Sequence, residues 1–314
     1  MKTRTVKAII AGKIQDWLKS IEDEDLRKLA EQNTVVTGGC IVSLLTQQKV
    51  NDYDIYFRTK DCARKVAEYY VAKFKANPPS KFKDQNRDVD IFVEDKDDHI
   101  RVVVKSQGIA SEHGTSDYQY FESVPDEQGE SFIEQVTSNL EAADEIKAPE
   151  STRGKYRPIF MSGNAITLSG GVQLVLRFIG EPETIHKFYD FVHCTCYWKS
   201  WDGEMVLPQA ALEAILTKEL RYVGSKYPLC SVIRIRKFVA RGWTINAGQI
   251  LKMVMQLQDL DLRNVEVLED QLTGVDAAYF MQVINRLREK QREDGTEGQP
   301  IDSTYLVTLI DKLF

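Results

Sequence analysis

Two glycines and two aspartates near the amino terminus have a spacing that suits phosphate chemistry. We predict that residues 34–37 form a short strand, that Gly38 and Gly39 form the turn after it, and that a helix follows the turn. Glycines let the backbone approach a triphosphate closely, and amides at the start of a helix can face its oxygens. Thirteen residues after Gly39, Asp52 and Asp54 alternate along a second predicted strand, so their carboxylates lie on one face. The pattern predicts a site for a nucleoside triphosphate and a divalent metal ion.

The chemistry expected of such a site is an in-line displacement at phosphorus. Asp52 and Asp54 can share Mg²⁺ or Mn²⁺ ions, because both metals prefer oxygen ligands. Ions held there bind the phosphates of an incoming nucleotide and activate an attacking hydroxyl. Tyr53 and Ile55 are expected to point into the core. The structural alternative is an ordinary Gly-Gly turn followed by a strand whose aspartates only face solvent.

The elements that must position these residues follow from hydrophobic periodicity. Period-two alternation predicts strands at 34–37, 52–57, 165–168, 172–178 and 190–198. Helical spacing marks residues 1–32, 61–74, 183–189 and most of the chain beyond Gly203. We therefore predict an α+β protein, in which a mixed sheet with helices precedes an all-α part.

The length and composition favour two domains. The chain has 314 residues, of which 43% are hydrophobic, and this is enough to build a core in each domain. We predict a catalytic core over residues 1–205, with an acidic insertion at about 80–155. A helical neck and body domain is predicted over 206–314.

The sequence carries no sign of export or of a membrane span. Its apolar runs fall far short of the roughly 20 residues that cross a bilayer, and no signal peptide is visible. Five cysteines without a C-x-x-C pair fit reduced thiols better than a disulfide framework. We expect a cytoplasmic protein with no membrane partner, in the host cytoplasm if the protein is viral.

Charge is unevenly distributed along the chain. The formal net charge is −6, but residues 218–241 carry seven basic residues against the single acid Glu219. This basic stretch is the candidate surface for a polyanion such as RNA. Its alternative is a helix whose basic side is merely solvated.

Three motifs in order resemble the nucleotidyltransferase superfamily that includes DNA polymerase β, and most closely its CCA-adding and poly(A) polymerase branch. Residues 38–54 read GGCIVSLLTQQKVNDYD and are similar to that branch's G-G-x-V-R-D-x-L-L-G-x(4)-D-x-D. Residues 190–197, DFVHCTCY, are similar to its D-F-T-I-N-A-L-A. Residues 220–245 are similar to its neck helices. The sequence also resembles uncharacterised bacteriophage nucleotidyltransferases, which carry segments similar to Asn164-Ala-Ile-Thr-Leu and Arg-Lys-Phe.

The resemblance implies roles for individual residues. It makes Asp52 and Asp54 the catalytic metal ligands. A third carboxylate is common in the superfamily; Asp90 fits its pattern, whereas strand 172–178 offers only Gln173. The candidate nucleotide-binding residues are Gly38, Gly39, Asp190, Arg177, Arg234 and Lys237, and an RNA site is the alternative for Arg234 and Lys237. Asp190 could instead simply begin a strand, and Arg177 could be a solvated strand end.

The departures from the family pattern narrow the function. Val42-Ser43 stands where the branch has R-D, so an arginine that contacts substrate in relatives is absent. Lys226-Tyr227-Pro228 stands where CCA-adding enzymes carry the E-D-x-x-R pattern that selects C and A. Cys194 replaces the asparagine of D-F-T-I-N. The resemblance therefore implies a nucleotidyltransferase that does not add CCA.

The predicted reaction moves a nucleoside monophosphate from an NTP to a hydroxyl and releases pyrophosphate. The expected acceptor is an RNA 3′ end, with a protein hydroxyl or a small molecule as alternatives. The rival prediction is a catalytically silent scaffold that binds RNA or a host protein. A further alternative is a toxin or counter-defence factor that modifies tRNA, which shares the chemistry.

Overall fold

The computed structural model describes residues 1–76, 91–104, 109–111, 155–272 and 281–313. These residues form two compact units. The first takes the described residues up to Lys187 together with His193–Ile215. The second takes the short segment Phe188–Val192 and the described residues from Leu216 onwards.

The first unit is built on a large mixed sheet. Its helices are α1 (Thr3–Lys19), α2 (Glu24–Glu31), α3 (Gly39–Leu45), α4 (Lys60–Ala76) and α5 (Pro182–His186). Its strands are β1 (Thr34–Thr37), β2 (Tyr53–Phe57), β3 (Ile91–Asp95), β4 (Ile100–Val104), β5 (Ile109–Ser111), β6 (Pro158–Ser162), β7 (Ala165–Leu168), β8 (Val172–Ile179), β9 (Tyr197–Lys199) and β10 (Met205–Val206). The helix α6 (Gln209–Thr217) follows.

Eight strands form one sheet in the order β10-β9-β1-β2-β8-β7-β6-β5, and β3 pairs with β4 separately. Among the described strands only β2 and β8 pair in parallel; the other pairs are antiparallel. The mixed sheet with its many helices confirms the predicted α+β class.

The core of the first unit follows the periodicity of its sequence. Along α1, Val6, Ile10 and Ile14 recur every fourth residue and are fully buried. The next turn adds Trp17, whose indole Nε1 donates to the hydroxyl of Tyr70 on α4 at 2.9 Å. Both aromatic side chains are almost completely buried, so this hydrogen bond satisfies the polar atoms of two core residues.

The second unit is helical. It contains α7 (Pro228–Ala240), α8 (Ala247–Gln258), α9 (Val265–Gln271), α10 (Met281–Asp294) and α11 (Ser303–Leu313). One cluster of buried residues joins α9, α10 and α11, and its members are Val265, Leu268, Leu272, Val283, Ile284, Leu287, Ile301 and Leu309. No helix in the described ranges is long and apolar enough to span a membrane.

The predicted strand at 190–198 is wrong in its first half. Phe191 bridges Tyr222, and the flanking backbone bonds join Val192 to Arg221 and Val223 to Asp190. The chain then passes through a 3₁₀ turn at Val192–Thr195 and pairs with β1 only from Tyr197. One alternating run of sequence therefore serves two pairing partners, and the turn between them separates its halves.

The Trp17–Tyr70 hydrogen bond gives a test of the core. Tyr70→Phe leaves the indole N–H buried without its acceptor, and we expect a loss of about 1–3 kcal/mol in the free energy of unfolding. Tyr69→Phe is the matched control, because the Tyr69 hydroxyl accepts an exposed backbone bond from Glu22 that water can replace. Urea unfolding measures both variants. Equal losses would contradict the importance of the buried bond.

Candidate functional site

The turn between β1 and α3 has a conformation that demands glycine. Gly38 has φ 93° and ψ −149°, a region in which side-chain-bearing residues are strained. Its backbone N–H donates to the carbonyl of Cys194 at 3.2 Å. Gly39 begins α3, and nothing lies within 4 Å of where its Cβ would be. The predicted glycine turn is thus present, and Gly38 is the residue that shapes it.

The two aspartates stand at the beginning of β2. Asp52 directly precedes the strand and Asp54 is its second residue, and both are half-buried. Ile55 is fully buried, while Tyr53 is half-buried beneath the ammonium group of Lys13, which lies 5.2 Å from the ring centroid. Because Val36 pairs with Ile55, the Thr37 end of β1 lies beside Asp54.

The turn between β7 and β8 packs closely against Asn51 and Asp52. The N–H of Tyr53 donates to the carbonyl of Gly171 at 2.9 Å. A Cβ on Gly171 would lie 2.9 Å from the carbonyl oxygen of Asn51 and 4.0 Å from Oδ1 of Asp52, so only glycine permits this approach. The approach fixes where β2 begins and hence where Asp52 is placed.

Lys13 holds this turn from α1, a role that the sequence reasoning missed. Its ammonium group donates to the carbonyl of Gly170 and lies between the rings of Tyr53 and Tyr156, 5.2 and 5.4 Å from their centroids. In a cation–π contact, the positive charge of the ammonium group is attracted to the face of an aromatic ring. The available signal was a lysine within the otherwise apolar stripe of α1.

A neutral amide lies beside the second aspartate. The parallel register pairs Asp54 of β2 with Gln173 of β8, and the antiparallel register pairs Gln173 with Thr167 of β7. Paired residues of neighbouring strands share a face of the sheet. Gln173 therefore occupies the position next to Asp54 on β8, the strand that offers no carboxylate there.

The donor chemistry of the two aspartates fits magnesium. Mg²⁺ is usually held by one or two carboxylates together with phosphate oxygens of the substrate. Within the part of the chain that the structure describes, no three His, Cys, Asp or Glu side chains come together as a metal site. Asp90, predicted as a third carboxylate, lies outside the described residues. Asp52 and Asp54 are thus the candidate metal ligands.

A buried thiol two residues after Gly38 is unreactive. Cys40 is buried at the start of α3, and burial, reinforced by the charge of Asp54, raises its pKa far above the ordinary value. The thiolate is the nucleophilic form of cysteine, so Cys40 is not a nucleophile at neutral pH. Cys40 therefore supplies no covalent intermediate at this site.

Arg177 lies on β8, four residues beyond Gln173. Its guanidinium donates to Oδ1 of Asn164 at 3.1 Å, at the bend before β7. The side chain is half-buried. The prediction that it contacts a triphosphate stays a prediction.

The remaining predicted nucleotide-binding residues belong to the second unit. Arg234 of α7 donates to Oδ2 of Asp190 at 2.9 Å, where the Asp190 side chain is 7% exposed and that of Arg234 is 41% exposed. Lys237, three residues later on α7, is half-buried. The structure thus brings Asp190 and Arg234 together as an ion pair.

Helix α8 supports the backbone that carries Asp190. Gln249 and Gln256 accept hydrogen bonds from the N–H groups of Tyr222 and Ser225, and Gln256 also donates to the carbonyl of Ser225. This strip in turn pairs with Phe191. Asp190 is therefore held both through its backbone and through its carboxylate.

The sequence of this chain matches a family defined by counter-defence. Residues 8–218 match the Gabija anti-defense 2 family, and this range includes Gly38, Asp52, Asp54 and Gln173. The chain belongs to this family. One curated relative is "Gabija anti-defense 2" of Bacillus phage SPbetaL7, 21% identical over 139 residues. That alignment covers 44% of this chain and 34% of the relative, so the chain spans only about a third of that relative's length.

Solved structures similar to this chain include two CCA-adding enzymes. The Thermotoga maritima enzyme complexed with tRNA gives a TM-score of 0.38 at 13% identity, over 88% of this chain and 54% of that one. The Bacillus stearothermophilus enzyme in complex with CTP gives 0.36 at 14% identity, over 90% and 52%. The curated relative is a phage protein, as the bacteriophage resemblance implied.

The Gly38 turn gives a second test. Gly38→Ala forces a side chain into a conformation that only glycine adopts readily, and we expect a loss of about 1–3 kcal/mol in the free energy of unfolding. Gly39→Ala is the matched control, because it has open space and a helical position, so its stability should be unchanged or slightly raised. Denaturant titration of both variants decides. A Gly38→Ala variant as stable as wild type would contradict the strain.

The ion pair of the second unit gives a third test. Arg234→Met leaves the buried carboxylate of Asp190 without its cation, and we expect a loss of about 1–3 kcal/mol in the free energy of unfolding. Arg236→Met, two residues along the same helix and exposed, should change stability by less than about 0.5 kcal/mol. Chemical unfolding compares the two. Similar losses would show that Asp190 does not depend on Arg234.

Proposed function

We propose that this protein is a metal-dependent nucleotidyltransferase that transfers a nucleoside monophosphate from an NTP to a hydroxyl. The observation that carries the proposal is one arrangement of backbone. The Gly38 turn ends β1 beside Asp54, and the close approach of Gly171 fixes where β2 begins, directly after Asp52. Two carboxylates and a glycine turn thus lie together where the end of β1 meets the beginning of β2.

Each residue has a role in the proposed reaction. Asp52 and Asp54 would hold Mg²⁺ or Mn²⁺, and the bound metal would neutralise phosphate charge and make the acceptor hydroxyl a better nucleophile. The acceptor oxygen forms a bond to the α-phosphorus of the NTP. The bond between the α-phosphorus and the oxygen that bridges to the β-phosphate breaks, so pyrophosphate leaves. The proton of the acceptor hydroxyl passes to water. Gly38 leaves room for phosphates against the backbone. Catalysis then comes from positioning and charge stabilisation on a rigid sheet.

The proposed acceptor is an RNA 3′ end. Three features support it: the similarity of residues 220–245 to neck helices, the basic stretch 218–241, and a similar enzyme whose structure is described as complexed with tRNA. Family membership adds the biological setting, in which nucleotide addition counters the Gabija defence of the host. A serine, threonine or tyrosine hydroxyl of a host defence protein is the alternative acceptor.

A second candidate function is a binding scaffold without catalysis. The observation that favours it is a strip of exposed apolar side chains on α8, where Ile250, Leu251, Val254 and Met255 are 45–60% exposed. Apolar strips of this kind often mark protein-binding surfaces. In this candidate the partner is a host defence protein, and Asp52 and Asp54 play no part in the binding.

Nucleotide transfer is tested directly with purified protein. Wild type, Asp54→Asn and the Asp52→Asn/Asp54→Asn double variant are incubated with magnesium, total RNA and each radiolabelled NTP in turn. RNA and protein are then resolved on separate gels. We expect label transfer by wild type and a loss of at least about a hundredfold in both variants, because their metal ligands are removed.

Two controls separate the candidate functions. Asp25→Asn changes the same charge on the exposed face of α2 and should transfer label as wild type does. In bacteria that carry Gabija, plaque counts compare protection by wild type and by Asp54→Asn. Two results together would favour the scaffold over the enzyme. Asp54→Asn would still protect the phage, and wild type would transfer no label from any NTP with magnesium or manganese.

A further inference from the structure

A buried hydroxyl closes the end of β1, immediately before the glycine turn. The side chain of Thr37 is fully buried. Its Oγ1 lies 2.9 Å from Nε2 of His186, 2.9 Å from the carbonyl oxygen of Cys196 and 3.3 Å from that of Cys194. Carbonyl oxygens only accept, so the single hydroxyl proton is directed to them. His186 must therefore donate its Nε2 proton to Thr37.

The surroundings of His186 keep it in this role. Burial lowers its pKa to about 4, and the charge of Glu183 opposes this only in part. The imidazole is therefore neutral at pH 7, with its proton placed on Nε2 by the Thr37 bond. Its ring lies against that of Tyr197, at 5.5 Å between centroids.

Helix α5 is anchored at two points by residues on one of its faces. Glu183 accepts a 3.0 Å hydrogen bond from the hydroxyl of Tyr197 on β9, and His186 binds Thr37 on β1. Residues three apart in a helix share a face, so both side chains reach the sheet together. Thr37 and Tyr197 are themselves paired across β1 and β9. The side chains of Thr37, Glu183, His186 and Tyr197 form one connected cluster.

This cluster of four side chains lies next to the Gly38 turn, which the proposed nucleotide site requires. Thr37 is the residue before Gly38, whose N–H is bound to the carbonyl of Cys194. The carbonyls of Cys194 and Cys196 thus hold both Gly38 and Thr37 in place. Freeing the Thr37 hydroxyl from His186 loosens one of the contacts that orient the turn.

We propose that His186 is a positioning residue for the nucleotide site, acting through Thr37 on the orientation of the Gly38 turn. The proposal rests on the proposed function for the nucleotide that the turn receives. His186 itself contacts neither nucleotide nor metal in this proposal. It supplies one hydrogen bond to a buried hydroxyl, and that bond adds to the contacts with the Cys194 and Cys196 carbonyls that hold the turn.

The test compares His186→Ala, which removes the donor, with His186→Gln, whose amide N–H can replace Nε2–H. Thr184→Ala is the control, on an exposed position of the same helix. Hydrogen–deuterium exchange of apo protein measures the amides of residues 38–41. The Kd of a fluorescent ATP analogue with magnesium measures the site.

In His186→Ala we expect exchange at residues 38–41 to quicken about tenfold and the Kd to rise about tenfold, as for loss of one hydrogen bond. His186→Gln should return both to within about threefold of wild type, and Thr184→Ala should change neither. Both readouts refer to folded protein, which circular dichroism verifies.

The two readouts separate the possible failures. Exchange at residues 38–41 that stays at the wild-type rate in His186→Ala overturns the positioning role, whatever the nucleotide does. Faster exchange with an unchanged Kd, or a failure of His186→Gln to restore either value, also overturns it. If wild type binds no nucleotide while the exchange differences appear, the proposed function fails and His186 only stabilises the turn.

Discussion

The approach of Gly171 to the backbone of Asn51 is the constraint on which the candidate site depends. A side chain at position 171 would collide with the Asn51 carbonyl, 2.9 Å from its Cβ. The same turn accepts the Tyr53 N–H and so starts the parallel pairing of β2 with β8. This contact places Asp52 where the parallel pairing starts, and the pairing continues with Asp54 beside Gln173.

Around that contact the site is assembled from three directions. Lys13 of α1 binds the Gly170 carbonyl, β1 ends with the Gly38 turn beside Asp54, and β8 places Gln173 beside Asp54. None of these groups is adjacent to the aspartates in sequence. The sheet supplies the rigidity that brings them together, and such rigidity is what positioning catalysis requires.

Much of this local structure could be predicted from the sequence, because it depends on short-range rules. The glycines at 38 and 39 and the alternation through Asp52 and Asp54 indicate β1, the turn, α3 and β2, and each is present. The proximity of Gln173 could not be predicted, since register between distant strands is set by tertiary packing. The contact of His186 with Thr37 is non-local for the same reason.

The wrong half of the 190–198 strand shows the same limit from another side. Alternation in this segment is genuine, but it does not say which partner each half pairs with. Phe191 pairs with Tyr222, whereas Tyr197 pairs with Thr37. The positive charge of residues 218–241 could likewise be predicted from the sequence, but the partners of its arginines could not. Arg234 binds Asp190, and Arg221 binds Glu219.

The parallel pair of β2 and β8 also has a consequence for how the protein is made. Asp54 and Gln173 are neighbours in the sheet although 119 residues separate them in the chain. Closing so long a loop costs entropy before any contact is gained, which slows folding. During synthesis, the amino-terminal segment that carries both aspartates leaves the ribosome long before β8 exists. The nascent chain must therefore wait for most of the first unit before its carboxylates acquire their neighbour.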